Sequence, residues 1–336
     1  MTMVERSIFA GAMLLGLGAL TGSAHADCKP LALITSVDLT PAPDKSAEFV
    51  PVEIAGTPKL MLLDTGGVYT EITSQVADEL HLQRRQGNFE LLNIAGTGTS
   101  EFATASFAIG RLKADKVAFP IWPGDFGYNG KVAGLLAADI LTHYDVSADF
   151  GTDKLDLLSQ DHCEGKVIYW PASAIAVLPM QLLESGHIVV SVVLDGHETT
   201  AIVDTGASRS TLRIPAAESY FGLKLGSSDA PRDGDLPGLP GAPMYRHTFK
   251  TLELNGITVS NPDIAIIPDM TSDKVANVPD TGSRLGDPRR NEEKPDMLIG
   301  MDVLQHLHIY IAYKEEKLYV TPAGAQAKAE NAAPGH

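Results

Sequence analysis

The sequence predicts a mostly-β protein of two homologous, β-barrel-like lobes with short helices, all within one chain of 336 residues. Two observations lead to this prediction. One unit of strand, turn, buried strand and Asp-Thr-Gly occurs twice in the same order, which indicates an internal repeat. Short apolar runs are separated throughout by turn residues, with 31 Gly and 21 Pro, as is typical of proteins made of closed or folded-over sheets.

The two copies of this unit agree segment by segment. The first copy consists of a strand at 49–54, a turn, the apolar run 60–63 and Asp64-Thr65-Gly66. The second consists of a strand at 187–194, an Asp-Gly hairpin turn, the apolar run 201–203 and Asp204-Thr205-Gly206. We therefore expect each tripeptide to follow directly on a buried strand.

The match continues downstream of each tripeptide. In order, the paired segments are a short helix (74–82 and 214–223), an apolar segment leading into a second helix (134–141 and 296–304), and two strands (145–158 and 308–321). The repeat predicts lobes at 27–160 and 186–322, joined by a connection at 161–185. The Ala-rich, polar tail at 323–336 is expected to be disordered.

The first 26 residues predict an export signal. Arg6 precedes an apolar stretch at 8–20, and Ala24-His25-Ala26 matches the small-residue cleavage pattern. An uncleaved membrane anchor is the alternative, but the apolar stretch is short for a span. We expect a periplasmic or secreted protein with no stable membrane insertion after cleavage.

Composition limits the partners. Asp and Glu number 42 against 26 Lys and Arg, and a net charge of −16 repels nucleic-acid phosphates. We therefore expect no nucleic-acid partner.

Cys28 and Cys163 can form a disulfide in an exported protein or remain two free thiols. No His, Cys and carboxylate set has convincing metal-ligand spacing, so we expect no metal and no other cofactor.

An apolar strand that runs into Asp-Thr-Gly has a mechanical interpretation. The strand fixes the carboxylate, the Gly permits a tight turn, and the Thr hydroxyl can bond to the partner loop. Two such loops meeting at a pseudo-twofold axis would place Asp64 and Asp204 side by side, where they share one proton. One carboxylate would then act as general base on a water, and the other as general acid toward a carbonyl.

These loops resemble those of the aspartic peptidases, and more closely the retropepsin-like branch, as in exported bacterial proteins with two fused lobes. The resemblance rests on segments 63–67, 203–207, 135–137 and 298–300 and covers nearly all of the chain after residue 26. It implies an aspartic endopeptidase with its active site between the lobes. The residues implied are catalytic Asp64 and Asp204, with loop support from Thr65, Gly66, Thr205 and Gly206.

The resemblance also implies a polypeptide substrate and a flap over the cleft. The best flap candidate is the Gly-rich tip of a hairpin at Ala95, Gly96, Thr97 and Gly98, and 234–245 is a second candidate. Because one chain holds both lobes, a monomer suffices for the active site, although dimers remain open.

Two departures from the family pattern lead to expectations. Ala137 replaces the Gly found at position 300 in the second lobe, which predicts weaker packing of the first loop. Gly67 and Ala207 stand where pepsins carry Ser or Thr. The carboxylates lose a hydroxyl donor there, so we expect activity at milder pH.

Other carboxylates are interpreted as non-catalytic. Asp139 and Asp302 follow the apolar segments at matching positions and are expected to be helix-start or surface residues. A third tripeptide, Asp280-Thr281-Gly282, lacks a preceding apolar strand and is expected to be a surface loop.

Two other functions remain open: a catalytically inactive peptide-binding module of the same fold, and a different two-carboxylate hydrolase such as a glycosidase.

Overall fold

The computed structural model describes residues 28–92, 98–124, 126, 128, 130–237, 239–269 and 294–324. The predicted signal at 1–26 and the tripeptide at Asp280 lie outside these residues, as does the tail beyond Gly324. No helix in the described ranges is long and apolar enough to cross a membrane.

The first lobe is an eight-stranded sheet with two short helices. Its strands are β2 (Thr40–Pro41), β3 (Glu48–Ile54), β4 (Thr57–Leu63), β5 (Glu71–Thr73), β6 (Arg85–Leu92), β7 (Gly98–Ile109), β8 (Leu112–Trp122) and β9 (Gly134–Leu136). Its helices are α1 (Ser74–Glu79), which Thr73 caps through its side chain, and α2 (Ala138–Leu141).

The second lobe repeats this arrangement. Its strands are β13 (Ile188–Leu194), β14 (His197–Val203), β15 (Thr211–Arg213), β16 (Arg232–Asp235), β17 (Pro243–Thr248), β18 (Thr251–Leu254), β19 (Ile257–Ser260), β20 (Asp263–Ile267) and β21 (Met297–Ile299). Its helices are α3 (Ile214–Phe221) and α4 (Met301–Leu304). Helix α3 begins with a Pro in its first turn and ends at Gly222, whose φ of +63° suits a residue without Cβ.

Strand pairing shows that the two lobes are homologous. The order β3-β4-β9-β5-β8 in the first lobe matches β13-β14-β21-β15-β20 in the second, with the same parallel pairings of β4 with β9 and β14 with β21. β3 pairs with the end of β7, as β13 pairs with β18. The prediction of a mostly-β, two-lobed protein is confirmed.

A central sheet joins the lobes. Its strands are β1 (Leu33–Asp38), β10 (Asp145–Asp149), β11 (Lys154–Leu158), β12 (Ala176–Leu182), β22 (Leu307–Ala312) and β23 (Lys317–Pro322). The order is β1-β11-β10-β22-β23-β12, so the two lobes meet where β10 pairs with β22. Each lobe contributes three strands, and β12 occupies in the second half the place that β1 has in the first.

The connection between the lobes differs from the expectation for 161–185. Strand β12 lies inside that range and belongs to the central sheet, so the irregular linker is shorter. Within this linker, Trp170 is buried and donates from its indole N–H to Thr321 Oγ1 at 3.1 Å. Cys163, also in the linker, forms a disulfide with Cys28, which ties the segment before β1 to the linker.

Candidate active site

Both Asp-Thr-Gly turns lie at the ends of buried strands. Leu63 at the end of β4 and Val203 at the end of β14 are almost inaccessible to solvent. The backbone N–H of Asp64 donates to Leu136 O, and that of Asp204 donates to Ile299 O, each at 3.0 Å. Each aspartate is therefore positioned by its own strand and by the parallel neighbour of that strand.

The two threonines lock the loops together across the lobes. Thr65 Oγ1 donates to Val203 O and Thr205 Oγ1 donates to Leu63 O, each at 2.8 Å. Each hydroxyl also accepts from the backbone N–H of the other threonine at 3.0 Å. Both threonines are buried, so these four bonds lie away from competing water.

The carboxylates lie against each other and against the opposite glycine. A Cβ placed on Gly66 would overlap the Asp204 carboxylate, and one placed on Gly206 would overlap that of Asp64. Each carboxylate also accepts a bond within its own turn, Asp64 from Gly66 N–H at 3.0 Å and Asp204 from Gly206 N–H at 2.8 Å. Glycine is required here by space, because any side chain would separate the aspartates.

Burial and mutual repulsion change the acidity of the pair. Burial first, and then the charge of Asp204, raise the pKa of Asp64 well above its usual range. Burial also raises the pKa of Asp204, but the Gly206 N–H donor, the hydrogen bond with Asp64 and then the charge of nearby His187 oppose that rise. Both pKa values are therefore raised, and the two carboxyl groups share one proton as a pair.

In each lobe a second aspartate, outside the Asp-Thr-Gly turn, supports the loop through hydrogen bonds. Asp139 Oδ1 accepts from the backbone N–H of Thr70 at 2.8 Å and from its hydroxyl at 2.6 Å, and that hydroxyl accepts from Ala137 N–H at 3.1 Å. Asp302, Ser210 and Gly300 repeat the same bonds in the second lobe. Both aspartates lie in the first turn of a helix, as the first of the two expected alternatives states, and both are partly buried and hydrogen-bonded.

The residue pair around Ala137 corrects the expectation of weak packing in the first lobe. A Cβ on Gly67 would lie 3.0 Å from the Ala137 Cβ, closer than two methyl groups can pack. The second lobe has the opposite pair, Ala207 with Gly300. Gly67 therefore makes room for the Ala137 methyl group, whereas in the second lobe a Cβ on Gly300 would overlap the backbone of Arg209 and Ala207.

The candidate flaps are hairpins. The first is the hairpin of β6 and β7, and of its candidate tip residues only Gly98, the exposed first residue of β7, is described; Ala95, Gly96 and Thr97 lie outside the described residues. The second is the hairpin of β16 and β17. Arg209, five residues after Asp204, lies 3.2 Å from Asp233 in β16, so this hairpin contacts the second Asp-Thr-Gly loop.

Sequence reasoning missed several residues of the site. Thr70 and Ser210 could have been found, because each is a hydroxyl residue six positions after its aspartate. His187, which contacts the first loop from the second lobe, gave no such signal. In the described part of the chain, no group of three or more His, Cys, Asp or Glu is arranged to hold a metal ion.

Comparisons with known proteins bear on this arrangement. A family model described as "Aspartyl protease" matches residues 50–140 and 190–303, which include both loops. No curated protein matches the chain. Among solved structures, basic 7S globulin from soybean is 8% identical with a TM-score of 0.47, and the match covers 89% of this chain and 97% of that one. Conglutin gamma, a basic 7S globulin from lupine seeds, is 10% identical with a TM-score of 0.49, covering 87% and 95%.

Proposed function

Because the chain belongs to the aspartyl protease family, we propose that it is an endopeptidase that hydrolyses polypeptides with Asp64 and Asp204. One observation carries this proposal. The two carboxyl groups are held together by cross-lobe threonine bonds and by glycines that no other residue could replace. Such rigid placement of two acids is what proton transfer during hydrolysis requires.

The chemistry uses the difference in protonation within the pair. The ionised carboxylate takes a proton from a water molecule, whose oxygen attacks the carbonyl carbon of the peptide bond. The protonated carboxyl donates its proton to the carbonyl oxygen, which gives a neutral tetrahedral intermediate. Proton transfer to the leaving nitrogen then allows the C–N bond to break.

We also propose an exported location, periplasmic or secreted, for this activity. The support is the Cys28–Cys163 disulfide, since such bonds persist in oxidising compartments, together with the signal-like sequence at 1–26. Mass spectrometry of the N-terminus of protein recovered from a cell-envelope fraction tests this location. Intact protein retained in the cytoplasm would contradict it.

The activity itself is tested with a mixed peptide library and mass-spectrometric detection of new termini. We expect cleavage by the wild-type protein, and a loss of at least about 10³-fold in Asp64→Asn and Asp204→Asn. Asp115→Asn is a matched control, because Asp115 is an exposed carboxylate on β8 and belongs to neither Asp-Thr-Gly loop. Cleavage that persists in either loop variant would reject the proposal. Peptide binding without cleavage by the wild type would favour an inactive binding module.

A further inference from the structure

Among the described residues of the second lobe, His187 is the only one whose ring makes a hydrogen bond to the first Asp-Thr-Gly loop. Its Nε2 lies 2.7 Å from Gly66 O, and its Nδ1 lies 3.0 Å from Ser185 Oγ. A carbonyl can only accept, so Nε2 carries a proton and donates to Gly66. The ring is partly buried and its orientation is fixed at both nitrogens.

The turn that carries His187 is shaped to reach the first lobe. Gly186 has a φ of +87°, and a Cβ there would lie 2.5 Å from the Ala138 Cβ at the start of α2. Only glycine allows this close approach between the β12–β13 turn and the first lobe. Leu183 and His187 close the turn by a backbone bond of 3.0 Å.

The described residues show no matching histidine contact on the other side of the pseudo-twofold axis. The aspartates are 140 positions apart, and the residue 140 positions before His187 is Ala47, which has no donor in its side chain. Gly66 is also the residue that lies against the Asp204 carboxylate. His187 therefore acts on one loop of a pair that is otherwise nearly symmetric.

We propose that His187 is a positioning residue that makes the two aspartates unequal, so that Asp204 is the general base and Asp64 the general acid. This inference rests on the proposed peptidase function. By holding the Gly66 carbonyl, His187 fixes the first loop against the Asp204 carboxylate. Asp204 then accepts a proton from the water while Asp64 donates one to the carbonyl oxygen.

The electrostatics of the pair agree with this assignment. The Gly206 N–H, the hydrogen bond with Asp64 and the charge of His187 all oppose the rise that burial causes in the pKa of Asp204, whereas burial and the charge of Asp204 both raise the pKa of Asp64. The other titratable groups beside the His187 turn are Glu184, on the turn itself, Tyr69, on the loop that follows Gly66, and Asp139 on α2, and all three line the same cavity as Ser185 and Gly186. Both carboxylates stay in place in the variants below, so they contribute equally to every comparison.

The test compares His187→Leu, which removes the donor, with His187→Gln, whose amide N–H can still reach Gly66 O. We expect His187→Leu to lower kcat about tenfold with KM changed less than about twofold, because one positioning bond is lost. His187→Gln should recover most of that loss. In His187→Leu the acid limb of the pH profile should move to higher pH, since Asp204 loses a neighbour that lowers its pKa.

Two results would overturn the inference. One is a His187→Leu variant with wild-type kcat and an unchanged acid limb. The other is an equal loss in both variants with an unchanged acid limb, which would indicate packing alone. His197→Leu, an exposed histidine of the same lobe, is the control, and melting temperatures check that each variant is folded.

A measurement without substrate separates this inference from the proposed function. Carbon-13 NMR of carboxyl-labelled Asp follows the titration of Asp64 and Asp204 in protein that need not cleave anything. We expect Asp204 to ionise at lower pH than Asp64 in the wild type, and at higher pH than before in His187→Leu. If no peptide is cleaved but this shift occurs, only the peptidase proposal fails; if the shift is absent, the His187 inference fails.

Discussion

Thr65 and Thr205 exchange hydrogen bonds with each other, each hydroxyl accepting at 3.0 Å from the backbone N–H of the other threonine. Each also donates to a carbonyl at the end of the opposite strand. The two Asp-Thr-Gly loops are therefore one structural unit, although 140 residues separate them in the chain.

Replacing one of these hydroxyls should destabilise the whole molecule. Thr205→Val removes the donor to Leu63 O and the acceptor for Thr65 N–H, and leaves both groups buried without a partner. We expect a loss of about 2–4 kcal/mol in the free energy of unfolding, measured with urea. Thr199→Val is the control, because Thr199 is equally buried on β14 but bonds only to nearby His197 O. An equal loss in both variants would contradict a special role for Thr205.

The contact between Gly67 and Ala137 predicts a coupled pair. Gly67→Ala alone should cost about 1–3 kcal/mol, because its Cβ would lie 2.8 Å from Asp64 Oδ2 and 3.0 Å from the Ala137 Cβ. Adding Ala137→Gly reproduces the arrangement of the second lobe and should restore part of that loss. Urea unfolding of the two single variants and the double variant measures the coupling. Strictly additive effects would show that the two sites do not compensate each other.

The absence of a side-chain hydroxyl at positions 67 and 207 predicts the pH range of activity. A hydroxyl donor would favour the ionised form of Asp204 and lower its pKa, so without one the base ionises at higher pH. We expect an optimum at milder pH than that of pepsin, and a shift of the acid limb to lower pH in Ala207→Ser. Kinetics from pH 2 to pH 8 check this. Ser208→Ala, at the exposed neighbouring position, should leave the profile in place.

Glu48 makes stability depend on pH. Burial first, and then the charge of Asp153, raise the pKa of this carboxyl from 4.5 to about 7. The folded protein therefore holds a proton that the unfolded chain has lost, and this contribution to stability is present below pH 4.5 and lost as the pH rises through 7.

Glu48→Gln should accordingly gain stability relative to the wild type as the pH rises from 4.5 to 7, by about 3 kcal/mol in total. Urea unfolding at a series of pH values measures the difference. Glu53→Gln, at an exposed position on the same strand, should show a much smaller change. A constant difference across this range would show that Glu48 does not hold the extra proton.

Local pattern and internal repetition were enough to predict the two lobes, the buried strands and the loops that the structure brings together at Asp64 and Asp204. What the sequence left open depends on contacts between distant residues. The bond from Thr70 to Asp139 spans 69 positions, and His187 reaches Gly66 over 121. The Cys28–Cys163 bond spans 135, and two cysteines alone do not show whether they meet. Strand β12 pairs with β13 nearby and with β23 more than a hundred residues later, and its place in the central sheet depends on the distant partner.

The two loops differ at the fifth position after the aspartate, where Tyr69 and Arg209 are both exposed. A peptide also has two different ends. An assembly of two identical subunits would present the same group on both sides of the cleft and could not tell one end from the other. Under the proposed function, we expect the fused chain, with a phenol ring beside one loop and a guanidinium beside the other, to bind a peptide across the aspartates in one direction.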